Sequence, residues 1–381
     1  MVKLAIIGAS SFQNPLIVRA NERGIETHVF AWEAGDVGEK TAAVFHPISI
    51  IERDVILEEC RRIGIDGIAS IGSDLANIAV AYVADALGLT ANSVACVAKS
   101  TDKHLMRQAF EAAHDPSPTS RLVRPGDELD ADALAYPVIV KPVDRSGSRG
   151  IAKVTRPADL APAIDAARAE GFGDGVLIEQ FVGGREFSVE YLSWKGEHRF
   201  LALTEKFTTG APHFIERGHL QPARVTPDEE ERIRSVVEHA LTTLGVEYGA
   251  SHSEVKMEAD GRVFIIEIGS RMGGDCIGSD LVRLSTGYDF VDAVIDVALG
   301  IEPPTPTEPP VARRHAAIRF VFSDEDRAAL ARLKANDPDL LRYVSPLDSD
   351  HHAITDSASR YGYFIFAGDP LARLAPYLPE V

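Results

Sequence analysis

The sequence predicts a mixed α/β and α+β chain in three parts: an N-terminal doubly wound parallel sheet, a central α+β region and a small C-terminal α+β lobe. Three observations carry that expectation. Short apolar runs alternate with helical patterns through residue 98, the pattern changes at Lys99, and a proline-rich stretch, EPPTPTEPP over 302–310, interrupts the chain near its end. At 381 residues and 45% hydrophobic content, the chain is globular and larger than a single core usually grows, so two or three domains are expected.

In chain order, KLAIIGAS reads as a first strand, PLIVRANERG as a helix and THVFAW as a second strand. A helix over Asp54–Ile63 and a strand in DGIASIG follow, and such alternation argues a parallel sheet with helices on both faces over residues 1–98. The turn Gly8-Ala9-Ser10-Ser11 presents amide N–H groups at a helix start, yet it lacks the full GxGxxG pattern. It is therefore read as a tight turn bordering a substrate site rather than a dinucleotide site. Residues 99–300 open with a helix, pass through the loop DPSPTS and continue as strands. Prolines exclude regular helix and central strand over 301–310, which reads as a linker. Residues 311–381 then offer strand-like AAIRFVF, helical DEDRAALARLKA and strand-like YGYFIFA.

Charge narrows the partners. Lys plus Arg number 39 against 57 Asp plus Glu, a net −18 with no dense basic run, which argues against nucleic acid. Cys60, Cys96 and Cys276 are far apart and lack CxxC spacing, so a reduced compartment is expected, and the cytoplasm is the expected address. MVKLAIIGAS is a short apolar run without a long hydrophobic region, and no stretch is long enough to span a bilayer.

The central region carries the chemistry. In YPVIVKPVDRSGSRGIAKV, Lys141 ends one strand and a loop of small residues, Asp144 to Gly150 with Ser146, Gly147 and Ser148, leads into the next. Such a loop lets amide groups approach an anion while the lysine supplies a point charge, although no GK[ST] makes it a Walker A loop. An ordinary glycine-rich hairpin is the alternative for this element alone. VLIEQFVGGREFSVE runs as a buried strand through Glu179, Gln180, Phe181 and Val182, bends at Gly183-Gly184 and places Glu186 past the bend. A crossover of that kind offers backbone groups to a flat heterocycle and a carboxylate to ribose hydroxyls.

HSEVKMEADGRVFIIEIGSRMGGD, 252–275, places Asp260-Gly261 between two alternating runs, the signature of a two-residue hairpin loop. Counting from that turn pairs Ala259 with Arg262, Met257 with Phe264, Val255 with Ile266 and Glu254 with Glu267. Opposed like charges destabilise a sheet, so either a cation lies between the glutamates or the register differs. Neutralisation by Lys256 or Arg271 is the plainer alternative.

Lys141, the glycine-rich hairpin, the Glu-Gln-Phe-Val hinge, Glu186, the opposed glutamates and Arg271 follow one another in order and spacing. Over nearly all of residues 1–300 this set resembles the ATP-grasp superfamily of ligases. The resemblance implies a nucleotide held between two α+β subdomains with the hairpin as a lid, and a Rossmann-like pre-ATP-grasp domain over 1–98. Carried over by position, Lys103 in STDKHLMR and Lys141 contact phosphates together with the loop Ser146, Gly147 and Ser148. Glu179 to Val182 then hold the adenine, Glu186 the ribose, and Glu254 and Glu267 ligate Mg²⁺, for which Mn²⁺ is an expected substitute. Mg²⁺ binds oxygen ligands together with substrate phosphates, which accounts for the opposed carboxylates. The family usually has asparagine two residues beyond the second glutamate; this chain has Gly269, which offers no ligand.

The segment TEKFTTGAPHFIERGHLQPA, 204–223, resembles the matching part of ligases that join L-amino acids into dipeptides. The resemblance implies Glu216 and His219 as contacts to the first amino acid and Arg271 as a contact to phosphate and the substrate carboxylate. His213, beside Pro212, is either a further contact or a structural loop residue. Gly273 and Gly274 in RMGGD offer amides to an acyl phosphate. The expected reaction is attack of a carboxylate on the γ-phosphate of ATP, giving an acyl phosphate and ADP, followed by attack of an amine that expels phosphate. Lys141 and Arg271 are the expected catalytic cations, and no base for the amine is identifiable. Bicarbonate or formate activation, and nucleotide binding without turnover, remain as alternatives. The substrate pair is not legible. Ligases of this kind are often homodimers, and nothing in the chain decides the matter.

Overall fold

The computed structural model describes residues 1–211, 214–307, 314–349 and 352–380. His213, most of the expected linker's second half and the start of the expected lobe lie outside them.

The N-terminal part runs β1 (Lys3–Ile7), α1 (Asn14–Glu22), β2 (Glu26–Phe30), α2 (Val37–Thr41), β3 (Val44–His46), α3 (Arg53–Ile63), β4 (Gly67–Ala69) and α4 (Asp74–Leu87). Its strands form a parallel sheet ordered β3-β2-β1-β4. Alternation along β1 explains the helices on both faces. Leu4 and Ile6 pack with Leu16 and Ile17 of α1, whereas Ala5 and Ile7 pack with Ile56 of α3 and Ala76, Val80 and Val83 of α4.

Two helices lead into the central region, α5 (Val94–Thr101) and α6 (Lys103–Ala113). The Asp102 carboxylate caps α6, accepting from the amides of His104 at 2.8 Å and Leu105 at 3.0 Å. One face of α6 is buried, Lys103, Met106, Arg107 and Phe110. The apolar pair joins a core that also holds Phe187, Val237, Val255 and Ile265, and the two cations point into the site described below.

Next come β5 (Ser120–Val123), β6 (Val138–Pro142), β7 (Ala152–Val154), α7 (Leu160–Glu170) and β8 (Val176–Gln180), a small antiparallel sheet ordered β5-β8-β6-β7 with α7 packed on it. The chain continues through β9 (Arg185–Trp194), β10 (Glu197–Thr208), β11 (Glu216–Gln221), α8 (Pro227–Leu244), β12 (Tyr248–Met257) and β13 (Val263–Gly269). Then follow α9 (Val282–Thr286), α10 (Phe290–Ala298), β14 (His315–Phe320), α11 (Asp324–Asn336), β15 (Leu341–Val344), β16 (Tyr363–Gly368) and α12 (Leu371–Leu374).

The expected C-terminal strands and helix are present as β14, α11 and β16, but the lobe does not stand apart. A single eight-stranded sheet, β13-β12-β9-β10-β11-β14-β16-β15, runs across the boundary expected at 301–310. Antiparallel pairing of Gly218 with Arg319 and Leu220 with Ala317 joins the two parts, because β14 satisfies the open hydrogen-bonding edge of β11. Among the described residues no helix is long and apolar enough to cross a membrane. Cys60, Cys96 and Cys276 are buried free thiols.

Candidate active site

The β12–β13 hairpin brings Glu254 and Glu267 opposite each other as expected, by a different route. The connection spans Glu258 to Arg262, not Asp260-Gly261 alone. The Glu258 amide donates to the Arg262 carbonyl at 2.9 Å, the Gly261 amide donates to the Glu258 carbonyl at 2.9 Å, and Gly261 sits at φ 85°. Near the turn the pairs are Met257–Val263, Lys256–Phe264 and Val255–Ile265, one residue off the expected set. A bulge between Glu254 and Val255 restores the register, so the two offsets cancel at the glutamates.

Each carboxylate has its own ammonium. Lys206 Nζ of β10 lies 2.7 Å from Glu254 Oε1, and Lys103 Nζ lies 2.9 Å from Glu267 Oε1. Lys256 and Arg271, the sequence-level alternatives, pair elsewhere: Lys256 with Glu186 at 3.4 Å and Arg271 with Asp74. Lys206 also faces Glu186 Oε1 at 3.0 Å and Glu216 Oε1 at 3.7 Å. Burial alone would lower its pKa, yet the three carboxylates hold it well above the ordinary lysine value. Burial likewise pushes Glu254 up, and Lys206 with His252 outweighs that and holds it well below the usual carboxylate range.

Glu179 is the penultimate residue of β8, and its carboxylate is engaged by two cations. It accepts from Arg107 Nε at 2.9 Å and pairs with Lys141 Nζ at 2.7 Å, all three side chains being buried. Burial, with Arg107 and Lys103 nearby, lowers Lys141 against the opposing pull of Glu179. The Gln180 amide donates to the Thr119 carbonyl at 2.9 Å and that of Phe181 to the Pro137 carbonyl at 3.3 Å, while Val182 is buried. Gly184 is at φ 90°, and a Cβ there would lie 2.1 Å from the Met257 carbonyl oxygen, so the bend that delivers Glu186 admits only glycine. In the glycine-rich hairpin between β6 and β7, Gly147 and Ser148 have φ 72° and 60°, and the Ser148 hydroxyl donates to the Phe214 carbonyl at 3.1 Å.

Beside the carboxylates lies a cavity of about 320 Å³. Ser146 and Gly147 reach it from the hairpin, Asp74 from α4, Glu216 and His219 from β11, and Arg271 and Gly274 from the segment after β13. Arg271 makes a bidentate pair with Asp74 at 2.7 and 2.8 Å. Gly269 lies beneath that pair: a Cβ there would stand 3.0 Å from Asp74 Oδ1 and 3.1 Å from Arg271 Cζ. The position at which the resemblance led asparagine to be expected is thus bordered by the arginine–aspartate contact. The Gly273 amide faces Glu190 Oε2 at 3.4 Å rather than open space, and a Cβ on Gly273 would meet His252 Nδ1 at 2.6 Å.

Glu216 accepts from the Ser357 hydroxyl at 2.7 Å. His219 Nε2 stands 3.5 Å from Asp275 Oδ2, and Asp275 is clamped by Arg360 at 2.9 and 2.6 Å. Both Ser357 and Arg360 come from the C-terminal segment, and Arg360 stacks 3.5 Å above the Phe320 ring. His252 bonds Glu190 through Nδ1, and its Nε2 lies 3.5 Å from Glu254 Oε1. Burial would lower His252, but Glu190 outweighs it and raises the imidazolium to about 9.

Residues 134–279 match the ATP-grasp domain family. The chain carries an ATP-grasp domain. An uncharacterized protein, y4rH, of Sinorhizobium fredii is 30% identical over 205 residues, 52% of this chain and 42% of that protein, so the chain spans under half its length. A D-alanine--D-alanine ligase of Ralstonia nicotianae is 24% identical over 298 residues, 75% of this chain and 84% of that enzyme. The crystal structure of an L-amino acid ligase from Bacillus licheniformis superposes with a TM-score of 0.82 at 24% identity, covering 99% of this chain and 96% of that one, a likeness of fold.

The ATP-grasp hairpin fits a divalent cation by its chemistry: two opposed carboxylates, each balanced by an ammonium that a phosphate could take over. Among the described residues no group of three or more His, Cys, Asp or Glu side chains is gathered to hold a metal; a cation at the two carboxylates would take the rest of its shell from phosphate or water oxygens. Sequence reasoning missed Lys206, Asp74, Arg107, His252, Asp275, Ser357 and Arg360. Alternation along HSEVK could have shown His252, which shares a strand face with Glu254. The others reach the site from separate elements, and no local signal marks them.

Proposed function

We propose that the chain is an ADP-forming carbon–nitrogen ligase that activates the carboxylate of an L-amino acid or related acid with ATP and joins it to an amine. The observation that carries this reading is the cavity where Glu216, Lys206, Glu254 and Arg271 meet. A carboxylate suited to a substrate ammonium and a guanidinium suited to carboxylate or phosphate there flank the paired glutamates. The ligases found similar by sequence and by fold are both named for joining amino acids, which favours this substrate class.

Glu254 and Glu267 would hold Mg²⁺, which when bound neutralises charge at the transferred phosphoryl group. Lys103 and Lys141 stand where phosphates need countercharge, and Ser146 to Ser148 form the loop that would cover them. Because the Glu179 carboxylate is already engaged by Arg107 and Lys141, residues 179–182 address the adenine through their backbone. Glu186 takes ribose hydroxyls. Arg271, held by Asp74, keeps N–H groups free for the reacting carboxylate. A substrate carboxylate oxygen bonds to the γ-phosphorus as ADP leaves; the amine nitrogen then bonds to the carbonyl carbon, phosphate departs and the nitrogen gives up a proton.

The test is Mg²⁺-dependent phosphate release from ATP across a matrix of L-amino acids and amines, with mass spectrometry of products and Glu267→Gln as control. Release with particular pairs, absent in the control and matched by a condensed product, supports the reading. Stimulation by bicarbonate or formate alone replaces it with that activation, and nucleotide binding without release under any condition removes turnover altogether.

A further inference from the structure

Lys206 receives a carboxylate from three different strands: Glu186 of β9, Glu216 of β11 and Glu254 of β12. It is buried on β10, which lies between β9 and β11 with β12 beyond β9, and stands opposite His219 in the sheet register. These carboxylates serve three partners in the proposed reaction, the ribose, the substrate ammonium and the metal. The Lys206 ammonium lies 2.7 Å from Glu254 Oε1, and the Lys103 ammonium 2.9 Å from Glu267 Oε1, so each carboxylate that would take a cation already carries a positive charge on one of its oxygens.

Elementary electrostatics gives this arrangement a consequence. A bare divalent ion at Glu254 would lie beside the Lys206 ammonium on the same carboxylate, and moving Lys103 off Glu267 would leave a buried ammonium with the Arg145 carbonyl, 2.7 Å away, but without its counter-ion. Stranding a buried charge in this way is strongly unfavourable. Phosphate oxygens remove the obstacle, since they offer the displaced ammonium groups a new partner. Lys206 keeps Glu186 and Glu216 when it yields Glu254, so the strands stay tied together.

We propose that Lys206 is a positioning residue that holds Glu254 closed to free divalent cations, so that metal and nucleotide enter the site together. The proposal rests on the reading of Glu254 and Glu267 as the metal carboxylates. Lys103 does the same for Glu267 on the facing strand.

Mn²⁺ binding to the full chain, followed by the loss of the free-ion electron paramagnetic resonance signal, tests this without turnover. The wild type is expected to bind Mn²⁺ alone at least roughly tenfold more weakly than in the presence of ADP. Lys206→Met is expected to bind Mn²⁺ alone at least roughly tenfold more tightly than the wild type, and adding Glu254→Gln is expected to cancel the gain. Damage to the fold lowers affinity, so a gain separates positioning from structure. Should Lys206→Met fail to fold, Lys103→Met frees Glu267 in the same manner and is expected to show the same gain. Unchanged or weaker nucleotide-free binding in the folded variant overturns the proposal, as does a wild type that binds Mn²⁺ equally well without ADP. Absence of Mn²⁺ binding to the wild type even with ADP sinks the metal reading itself, and the proposal with it.

Discussion

Glu179 sits with its carboxylate between Arg107 and Lys141, both buried, so the charge is needed more than the shape. Glu179→Gln leaves two buried cations without their anion and is expected to cost ~3–5 kcal/mol at neutral pH. Burial pushes the Glu179 carboxyl up, but Arg107 and Lys141 outweigh it, and the folded value lies below the ordinary 4.5. A depressed carboxylate stabilises above its unfolded value, and that contribution is lost as pH falls through the folded one. The gap in melting temperature between wild type and Glu179→Gln is therefore expected to be widest near pH 7 and to shrink below about pH 4.5; a gap independent of pH would mean the charge is not what matters. Gly269 poses a related question of space. With Asp74 and Arg271 packed where its Cβ would stand, Gly269→Asn is expected to unseat Arg271 rather than add a metal ligand. Phosphate release should fall roughly 10- to 100-fold, while Mn²⁺ binding in the presence of ADP stays unchanged. Tighter Mn²⁺ binding would show instead that asparagine ligates.

Elements place these residues. The bend at Gly183-Gly184 carries the chain from the small sheet into β9, and its positive φ and contact with the Met257 carbonyl leave no room for a side chain. Gly184→Ala is expected to cost at least ~2 kcal/mol in chemical denaturation, from the left-handed backbone and the clash together. A near-neutral change would show that the bend can shift. The opposed glutamates were legible because strand alternation and an Asp-Gly turn are local signals. Their route was not, since a longer turn and a compensating bulge leave the same pair opposite. Glu186 and Arg271 were likewise picked out near glycines that mark a change of backbone direction, and Lys141 near the end of a strand that leads into a glycine-rich loop. Lys206 was not, because its meaning depends on carboxylates contributed by β9, β11 and β12, which no window of sequence brings together. The partner of the Glu179 side chain was illegible for the same reason: Arg107 lies on α6, 72 positions away.

At the scale of the molecule, the proline-rich stretch was read as a linker to a small C-terminal lobe, and one sheet runs across that boundary. β14 pairs with β11 over Gly218 to Gln221, and Phe207 and Leu220 share a core with Ala317, Val321, Leu330 and Phe364. Arg319 is buried on β14 and pairs with Asp326 at 2.7 Å, while Arg360 and Ser357 return to the cavity to hold Asp275 and Glu216. Removing residues 308–381 would open the β11 edge, expose the apolar face that β14 and β16 cover, and take the clamp from Asp275. An exposed strand edge beside uncovered apolar surface invites aggregation. A chain ending at residue 307 is therefore expected to be recovered mainly as aggregate by size-exclusion chromatography, with no cooperative thermal transition in the remainder. Full-length protein under the same conditions should melt as one unit at the β11–β14 seam, because the two parts share a hydrogen-bonded sheet and a core. A soluble 1–307 product with a sharp transition and retained ADP binding would show that the lobe folds apart from the nucleotide site, and would move the role of Arg360 and Ser357 from architecture to substrate recognition alone.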